Sequence, residues 1–503
     1  MMSISPSFFG FQTAQRSLLA AQTALNVVNH NVSNANVEGY TRQRVDLATA
    51  YPLKTSGAGF FIGQGLDVTG ITQLRDSFLD KQYRQEQAVQ GEVKTAATLL
   101  GQTEGIIGEP SFSGLSNRVQ AMFDAVSDMR NNPQSLPART AFIQQSRDMI
   151  RVFQQQGQQL VDLHQNLVGT STAASWPNSQ LGLRVNDVNT KIALIADLNR
   201  QIGISTSANA VPNDLIDKRN LMLEQISKVI DVRTTDMPNY QVSLSIGGED
   251  VLRGGKVLDT LALTASTLPN ADRIPARITT VNGAVDITNT IASGEVKAVL
   301  DVAGNNTSIK NVYSTFEDLS NMLETLSTQF NNLQATGRDL AGTLHTADAY
   351  TNLYTLSPSY VSGPKLLYLN LNTSFDNNMD KISLANNDPT APANFAGVGD
   401  SRNAGSMAAI KNTIFAVLNN NTLEGFHQNF VSALGTDTKS YSDRNESQKD
   451  LLNQLQVNRQ AVSGVNTDEE GLDMIKYQRM FEASSRIVQT YNDIYKSIIA
   501  MVG

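Results

Sequence analysis

The sequence predicts a mainly α-helical chain with β insertions: a terminal two-helix coiled coil, a long-helix bundle domain, and small antiparallel β units inserted on the outer side. Three observations predict it. Apolar or small residues recur at three-four spacing near both ends of the sequence, several internal stretches keep the same period, and between Asp231 and about Leu300 the period drops to two.

The first helix carries Phe11, Ala14, Leu18, Ala21, Leu25, Val28 and Val32 on one stripe, and such a stripe needs a partner. The last thirty residues offer one, with Met474, Tyr477, Phe481, Ser484, Val488, Tyr491, Tyr495, Ile498 and Val502 in the same spacing. Between Met1 and Val37 the sole formally charged side chain is Arg16, and the off-stripe positions are Gln, Asn, Ser, Thr and Ala. A solvated coiled coil carries Glu and Lys on its outer face. An uncharged, hydrogen-bonding remainder suits burial among copies of the same chain; the alternative is a helix buried inside one large domain.

The run Asn29 to Gln43 ends this helix in Asn residues and Gly39, which tolerate left-handed backbone. Arg42 to Leu74 then reads as a β hairpin or extended arm, its Gly57, Gly59, Gly63 and Gly65 lacking the Lys-Ser/Thr of a phosphate loop. A long helix follows from Asp76 to about Ile107, with Gly91 its weak point. A second spans Leu115 to Met129 and stops at Asn132-Pro133; a third has Ser135 as N-cap and Pro137 in its first turn and runs to Leu167. His164 has no His or carboxylate at helical spacing to make a metal pair, so it reads as a packed residue. After the break at Trp176-Pro177, Leu181, Val185, Val188, Ile192, Ile195 and Ile202 mark a fourth helix, and Asn213 opens another to about Val229. The Asp and Arg residues of that opening read as charges capping and lacing a helix start. In the β unit, Tyr240, Val242, Leu244 and Ile246 alternate with polar residues, and Asn282-Gly283 predicts a hairpin turn between Ile278–Val281 and Val285–Ile287. Ile309, Val312, Phe316, Leu319, Leu323, Leu326, Phe330 and Leu333 form the cleanest internal seam. From Ala335 to about Arg402 the sequence loosens into Gly, Asn, Pro and Thr, and helices resume near Ser406.

At 503 residues the chain is too long for one core, and about three or four domains are expected. We expect residues 1–35 with 470–503 to form a coiled-coil assembly domain, and 36–230 with 305–335 and 403–469 a helical bundle domain. Residues 231–304 then make a β-rich insertion and 336–402 an outer loop-rich β domain. A net charge of -8 argues against nucleic acid as a partner. Cysteine is absent, which excludes thiolate chemistry and Cys-ligated metals. No apolar run is long enough to cross a bilayer, and no cleavable signal peptide is visible. The four histidines never cluster, and no nucleophile elbow, Walker A motif or dinucleotide fingerprint occurs. No enzyme, cofactor or metal site is therefore expected.

Several words resemble one family. Asn31, Ser33, Asn34, Asn36, Gly39, Tyr40, Arg42 and Gln43 carry a pattern similar to the N-terminal signature of the bacterial flagellar axial (rod, hook and junction) family. Gly65–Val68 with Arg75–Arg84, and Ser463–Glu470 with Tyr477-Gln478, are similar to its other conserved blocks. Thr41-Arg42-Gln43, Met122–Ala125, Asn132-Pro133, Ala138-Arg139 and Asn213–Asn220 resemble the hook-associated protein 1 family more than rod, hook or second junction proteins. The resemblance implies a structural subunit at the hook–filament junction, assembled as a ring with paired termini lining the inner tube and β parts outward. It implies the hook protein and a second junction protein as neighbours, an export chaperone at Tyr477 to Val502, and export without a cleaved signal through the flagellum's own type III apparatus to an extracellular location. Rival readings make the chain another axial protein of that family (hook, rod or second junction protein), or give the outer 336–402 segment of a junction subunit a carbohydrate- or protein-binding role.

Overall fold

A computed structural model describes residues 6–54, 61–108, 114–208, 210–266, 273–360, 365–390 and 394–502. Gly57, Gly59 and the Val502 side chain lie outside the described residues.

Helix α1 (Pro6–Asn34) runs into a tight turn and a ribbon in which β1 (Gln43–Thr49) pairs antiparallel with β4 (Leu66–Gln73), while the short β2 (Leu53–Lys54) and β3 (Phe61–Ile62) pair beyond it. Three long helices follow: α2 (Ser77–Ile107), α3 (Leu115–Asn131) and α4 (Leu136–Val168). Their starts are set locally. Asp76 accepts from the backbone N–H of Phe78 and Leu79, and Ser135 from that of Ala138; each such cap is worth about 1 kcal/mol. Trp176 and Pro177 sit in a 3-10 turn before α5 (Gln180–Ser207), and α6 (Asn213–Val229) closes this half.

The β unit comprises the antiparallel sheet β5 (Val232–Asp236), β6 (Val242–Ile246), β7 (Glu249–Arg253) and β8 (Lys256–Val257), in that order, and the pair β9 (Leu261–Ala265) with β10 (Ala276–Thr280). On β6 the residues Val242, Leu244 and Ile246 are buried and the two between them half-buried, as the period of two requires. The Asn282-Gly283 turn is present, but its second strand shrinks to a bridge between Thr279 and Asp286. The Asp259 carboxylate holds this turn, accepting the N–H groups of Val281, Asn282 and Gly283. The β insertion also ends earlier than expected, because Glu295–Leu300 is a helical turn, α7, continued by a π turn over Asp301–Asn305.

Helix α8 (Val312–Thr336) starts in a capping box made by Asn311 and Ser314, so Ile309 lies just outside the helix whose seam it was expected to begin. The segment 336–402 departs further from its reading as a loop-rich β domain. Its described residues contain only two three-residue strands, β11 (Tyr354–Leu356) and β12 (Leu369–Leu371), among turns. Tyr354, Leu366, Phe375, Ile382 and Leu384 are buried in the same core as α4 and α8. The physical reason is Gly157 on α4, where an added Cβ would lie 2.5 Å from Leu366 Cδ2, so the segment is seated directly on the bundle. Buried Arg139 stitches it further by donating to the carbonyls of Met379 and Ile382. Helix α9 (Arg402–Ala409) leads to α10 (Leu423–Ser463), which runs antiparallel to α2 with Gln448 bonded to Glu86, Asn445 to Gln90 and Arg459 near Asp80. Helix α11 (Thr467–Val502) ends the fold.

One contiguous core joins α2 through α10 and the β unit. A second, small cluster of Ala24, Val27 and Val45, with Leu47, Ile71 and Tyr477 against it, holds α1 to the ribbon and to α11. His164 is packed as expected: its Nε2 lies 2.7 Å from the Arg273 carbonyl, and burial lowers its pKa.

Candidate assembly surface

Helices α1 and α11 pair antiparallel. Asn31 meets Glu470 at one end, and at the other the Tyr491 ring lies over Gly10, where an added Cβ would stand 1.8 Å from its hydroxyl and push the ring aside. On α11 the expected stripe of Met474, Tyr477, Phe481, Ser484, Val488, Tyr491 and Tyr495 is sheltered, with Ser484 buried and the others half-buried, while Glu470 at its base is buried and Gly471, Asp473, Met480 and Ser485 flank it half-buried. Ile498 continues the stripe in register but is exposed.

On α1 the buried arc is wider and turned from the expected line. Ala14, Ala20, Ala21, Ala24, Val27, Val28 and Asn31 are buried, Phe11, Leu18 and Leu25 half-buried, and Val32 exposed. The cause is that α1 has two neighbours, with α11 on one side and the β1–β4 ribbon on the other, and small Ala residues let both approach. Arg16, the single charge of this helix, turns to the ribbon and pairs with Asp67 at 3.3 Å. What remains outward is Gln12, Gln15, Leu19, Gln22, Asn26, Asn29 and Ser33, a second three-four stripe made almost wholly of uncharged hydrogen-bonding groups. The outward face of α11 differs: exposed Leu472, Ile475, Ile487, Ile494, Ile499 and Met501 are interspersed with charged residues. The uncharged character of the pair therefore belongs to α1 alone.

The base of the pair is locked by the motif residues. Gly39, at φ 81°, turns the chain against Leu221 of α6. Asn31 Oδ1 accepts from the Gln43 N–H at 3.0 Å and the Tyr40 hydroxyl at 2.7 Å, while its Nδ2 donates to the Gln43 carbonyl and to Glu470 Oε2 at 3.0 Å. Asn34 bonds back to the His30 carbonyl, and Ser33 and Asn36 are exposed. Arg42 donates to Glu470 Oε1 and to Glu469 Oε2, each at 2.7 Å, and its backbone N–H to the Ser463 carbonyl. Burial, with Asp214 beside it, raises the Tyr40 hydroxyl pKa.

The opening of α6 joins the same network. Asp217 accepts from the Thr41 N–H at 3.0 Å and the Thr41 hydroxyl at 2.8 Å, Asn213 donates to the Ile71 carbonyl, and Gln43 donates to Asp214. These residues were read as local lacing of a helix; their partners are instead far along the chain. Burial pushes the Asp217 carboxyl up to about 6, against the opposing pull of its Thr41 bonds and of Arg75. The sequence flagged both words separately, and only the fold brings Thr41 beside Asp217.

Among the described residues no group of His and carboxylates could hold a metal, and no helix is long and apolar enough to cross a membrane.

Residues 100–348 match the model described as the flagellar hook-associated protein FlgK helical domain, and residues 458–501 that of the flagellar basal body rod FlgEFG protein C-terminal. The chain is 25% identical to flagellar hook-associated protein 1 of Bacillus subtilis (strain 168) over 523 residues, covering 99% of both. It is 25% identical over 564 residues to the protein of that name in Salmonella typhimurium, covering 97% of this chain and 98% of the relative. The fold is also that of the flagellar hook junction protein FlgK from Burkholderia pseudomallei, with a TM-score of 0.61 and 16% identity over 76% of this chain and 100% of the other.

Proposed function

We infer that this chain, a relative of flagellar hook-associated protein 1 from end to end, is a structural subunit of the bacterial flagellum that forms the junction between hook and filament. The observation that carries the reading is that the likeness spans both terminal helices and the helical body together. The role is structural rather than enzymatic. The subunit acts outside the cell, exported without a cleaved signal, and assembles as a ring of copies through α1 and α11. One face of the ring meets the hook protein and the other a second junction protein. An export chaperone covers Tyr477 to Val502 before assembly.

The amide stripe on α1 and the half-buried seam of α11 support this mechanism. A helix pair closed on one stripe only is marginal in water. Its base is fixed by Asn31, Arg42 and Glu470, so in the lone chain stability falls from that base towards Gly10 and Tyr491. Neighbouring copies complete the strut by covering Leu19, Val32, Ile487, Ile494 and Ile498. Few charges then need to be desolvated on α1. The test is imaging of flagella from cells lacking the protein. Hooks without filaments are expected, and normal filaments would reject the junction role.

A further inference from the structure

The cleft beside the junction holds more positive charge than the protein itself neutralises. It lies between the ribbon, α2, α6 and β5, has a volume of about 450 Å³, and is lined by Arg75, Lys81, Arg84 and Arg219 against Asp80 and Asp236. The carboxylates are already engaged. Asp80 takes Arg75 at 2.7 Å, with Arg459 at 3.8 Å on its other oxygen, and Asp236 faces Lys81 at 3.9 Å. Among the described residues, neither Arg84 nor Arg219 has a carboxylate at ion-pair distance. Arg84 reaches only the Thr234 hydroxyl at 3.4 Å. Arg219, only 6% exposed, donates to the Tyr240 carbonyl and the Asn220 side chain, both neutral. Arg75 Nη1 is buried without a hydrogen-bond partner, with Asp217 Oδ1 at 3.6 Å as its counter-charge.

Withdrawing a guanidinium from water without a counter-ion is costly, and here two such groups share one cleft. The strain registers in their acidity: burial, and then the nearby Arg75, pull Arg219 down to about 10, and burial lowers Arg84 as well. A planar fork of N–H donors matches the oxygens of phosphate or carboxylate two at a time.

We propose that this cleft is an oxyanion-binding site, in which Arg84 and Arg219, with Lys81 at the rim, take one phosphate- or carboxylate-bearing ligand. The bound anion would tie α2 to α6 and to the strand beyond it at the point where the ribbon leaves the body. The site is distinct from the terminal helix pair, so it stands or falls independently of the junction role.

The experiment is thermal unfolding of the full chain in inorganic phosphate, in acetate and in chloride at matched ionic strength and pH, with titration calorimetry of the same anions. Phosphate or acetate at millimolar concentration is expected to raise the melting temperature by several degrees over chloride with one site per chain, and the more effective anion identifies the source. Arg84→Gln and Lys81→Gln should lose most of that increment; Lys81 is half exposed, so its replacement leaves the fold intact. Equal melting in all three salts, or an increment that survives both substitutions, overturns the proposal and leaves an adventitious ionic effect only.

Discussion

Replacing Arg42 by Gln tests how the terminal helix pair is held to the body. The Glu470 side chain is 2% exposed and that of Arg42 19%, and their bond is 2.7 Å. Breaking a fully buried ion pair by removing one partner costs about 3–5 kcal/mol. The loss here is smaller, because Asn31 Nδ2 still donates to the other Glu470 oxygen at 3.0 Å and the Arg42 side is open to water. The second contact, to Glu469, is with a side chain 57% exposed and adds less than about 1 kcal/mol. The expected cost is therefore about 2–3 kcal/mol, borne locally, since the main core does not include these residues. That free energy corresponds to a roughly 30- to 150-fold rise in the opening equilibrium. Amide hydrogen exchange of the full-length chain reads it directly: Val27 to Asn34 and Glu470 to Tyr477 should exchange faster by that factor, while α2 through α8 are unchanged. Arg44→Gln, whose side chain is 61% exposed, is the control. Equal exchange in the two variants, or strictly additive effects of Arg42→Gln and Glu470→Gln, would refute the lock.

Other consequences follow from the same geometry. Gly91→Ala should gain up to about 1 kcal/mol by helix propensity, but its Cβ would stand 2.1 Å from the Lys228 carbonyl where α2 crosses the end of α6. A net loss of about 1–3 kcal/mol in chemical denaturation is expected, and a stabilised variant would show the crossing is looser. For Asp217, burial holds the folded pKa at about 6 against an ordinary 3.8, so between these values the folded state binds more protons than the unfolded one. The group thus costs stability increasingly as pH rises through that window, and fully above it. Asp217→Asn should change the stability difference from wild type by up to about 3 kcal/mol between pH 4 and 7, and parallel stability–pH curves would remove the argument. Ile487→Asp and Ile494→Asp alter side chains already 47% and 43% exposed, so the isolated chain should melt within about 0.5 kcal/mol of wild type while losing incorporation into flagella; filaments assembled normally on either variant would discard the seam model.

How much could be read from the sequence depended on the reach of each interaction. Apart from α7, which fell inside the expected β insertion, the helices α2 to α8 were legible because their period is local, as are caps such as Asp76 and Ser135, which bond within a few residues of themselves. The α11 stripe was legible for the same reason, having one neighbour and hence one face. Helix α1 was misjudged by a fraction of a turn because two surfaces claim it, and nothing in Ala20 or Ala24 announces the ribbon that covers them. Gly91 shows the limit from the other side. Propensity marks it as a flaw in α2, whereas the Lys228 carbonyl makes it a requirement.

The junction lies beyond that reach altogether. Asn31 finds Glu470 across 439 residues, and Thr41 finds Asp217 across 176. Polar residues of this kind carry no periodicity, so in sequence they are indistinguishable from a solvated turn and a charged helix start. The same holds for Arg84 and Arg219. Sequence places acidic residues beside both, at Asp80 and Asp217, which invites a reading of neutralised helix faces. In the fold Asp80 turns to Arg75 and Arg459, and Asp217 to Thr41, with Arg75 the nearest cation. The arginines are left facing a cleft with their charge unmatched. The Thr41 that anchors the ribbon thus engages Asp217, the carboxylate two residues from Arg219, while Asp80 is shared between Arg75 and Arg459, so the anchor of the ribbon and the proposed anion site beside it draw on one distribution of charge.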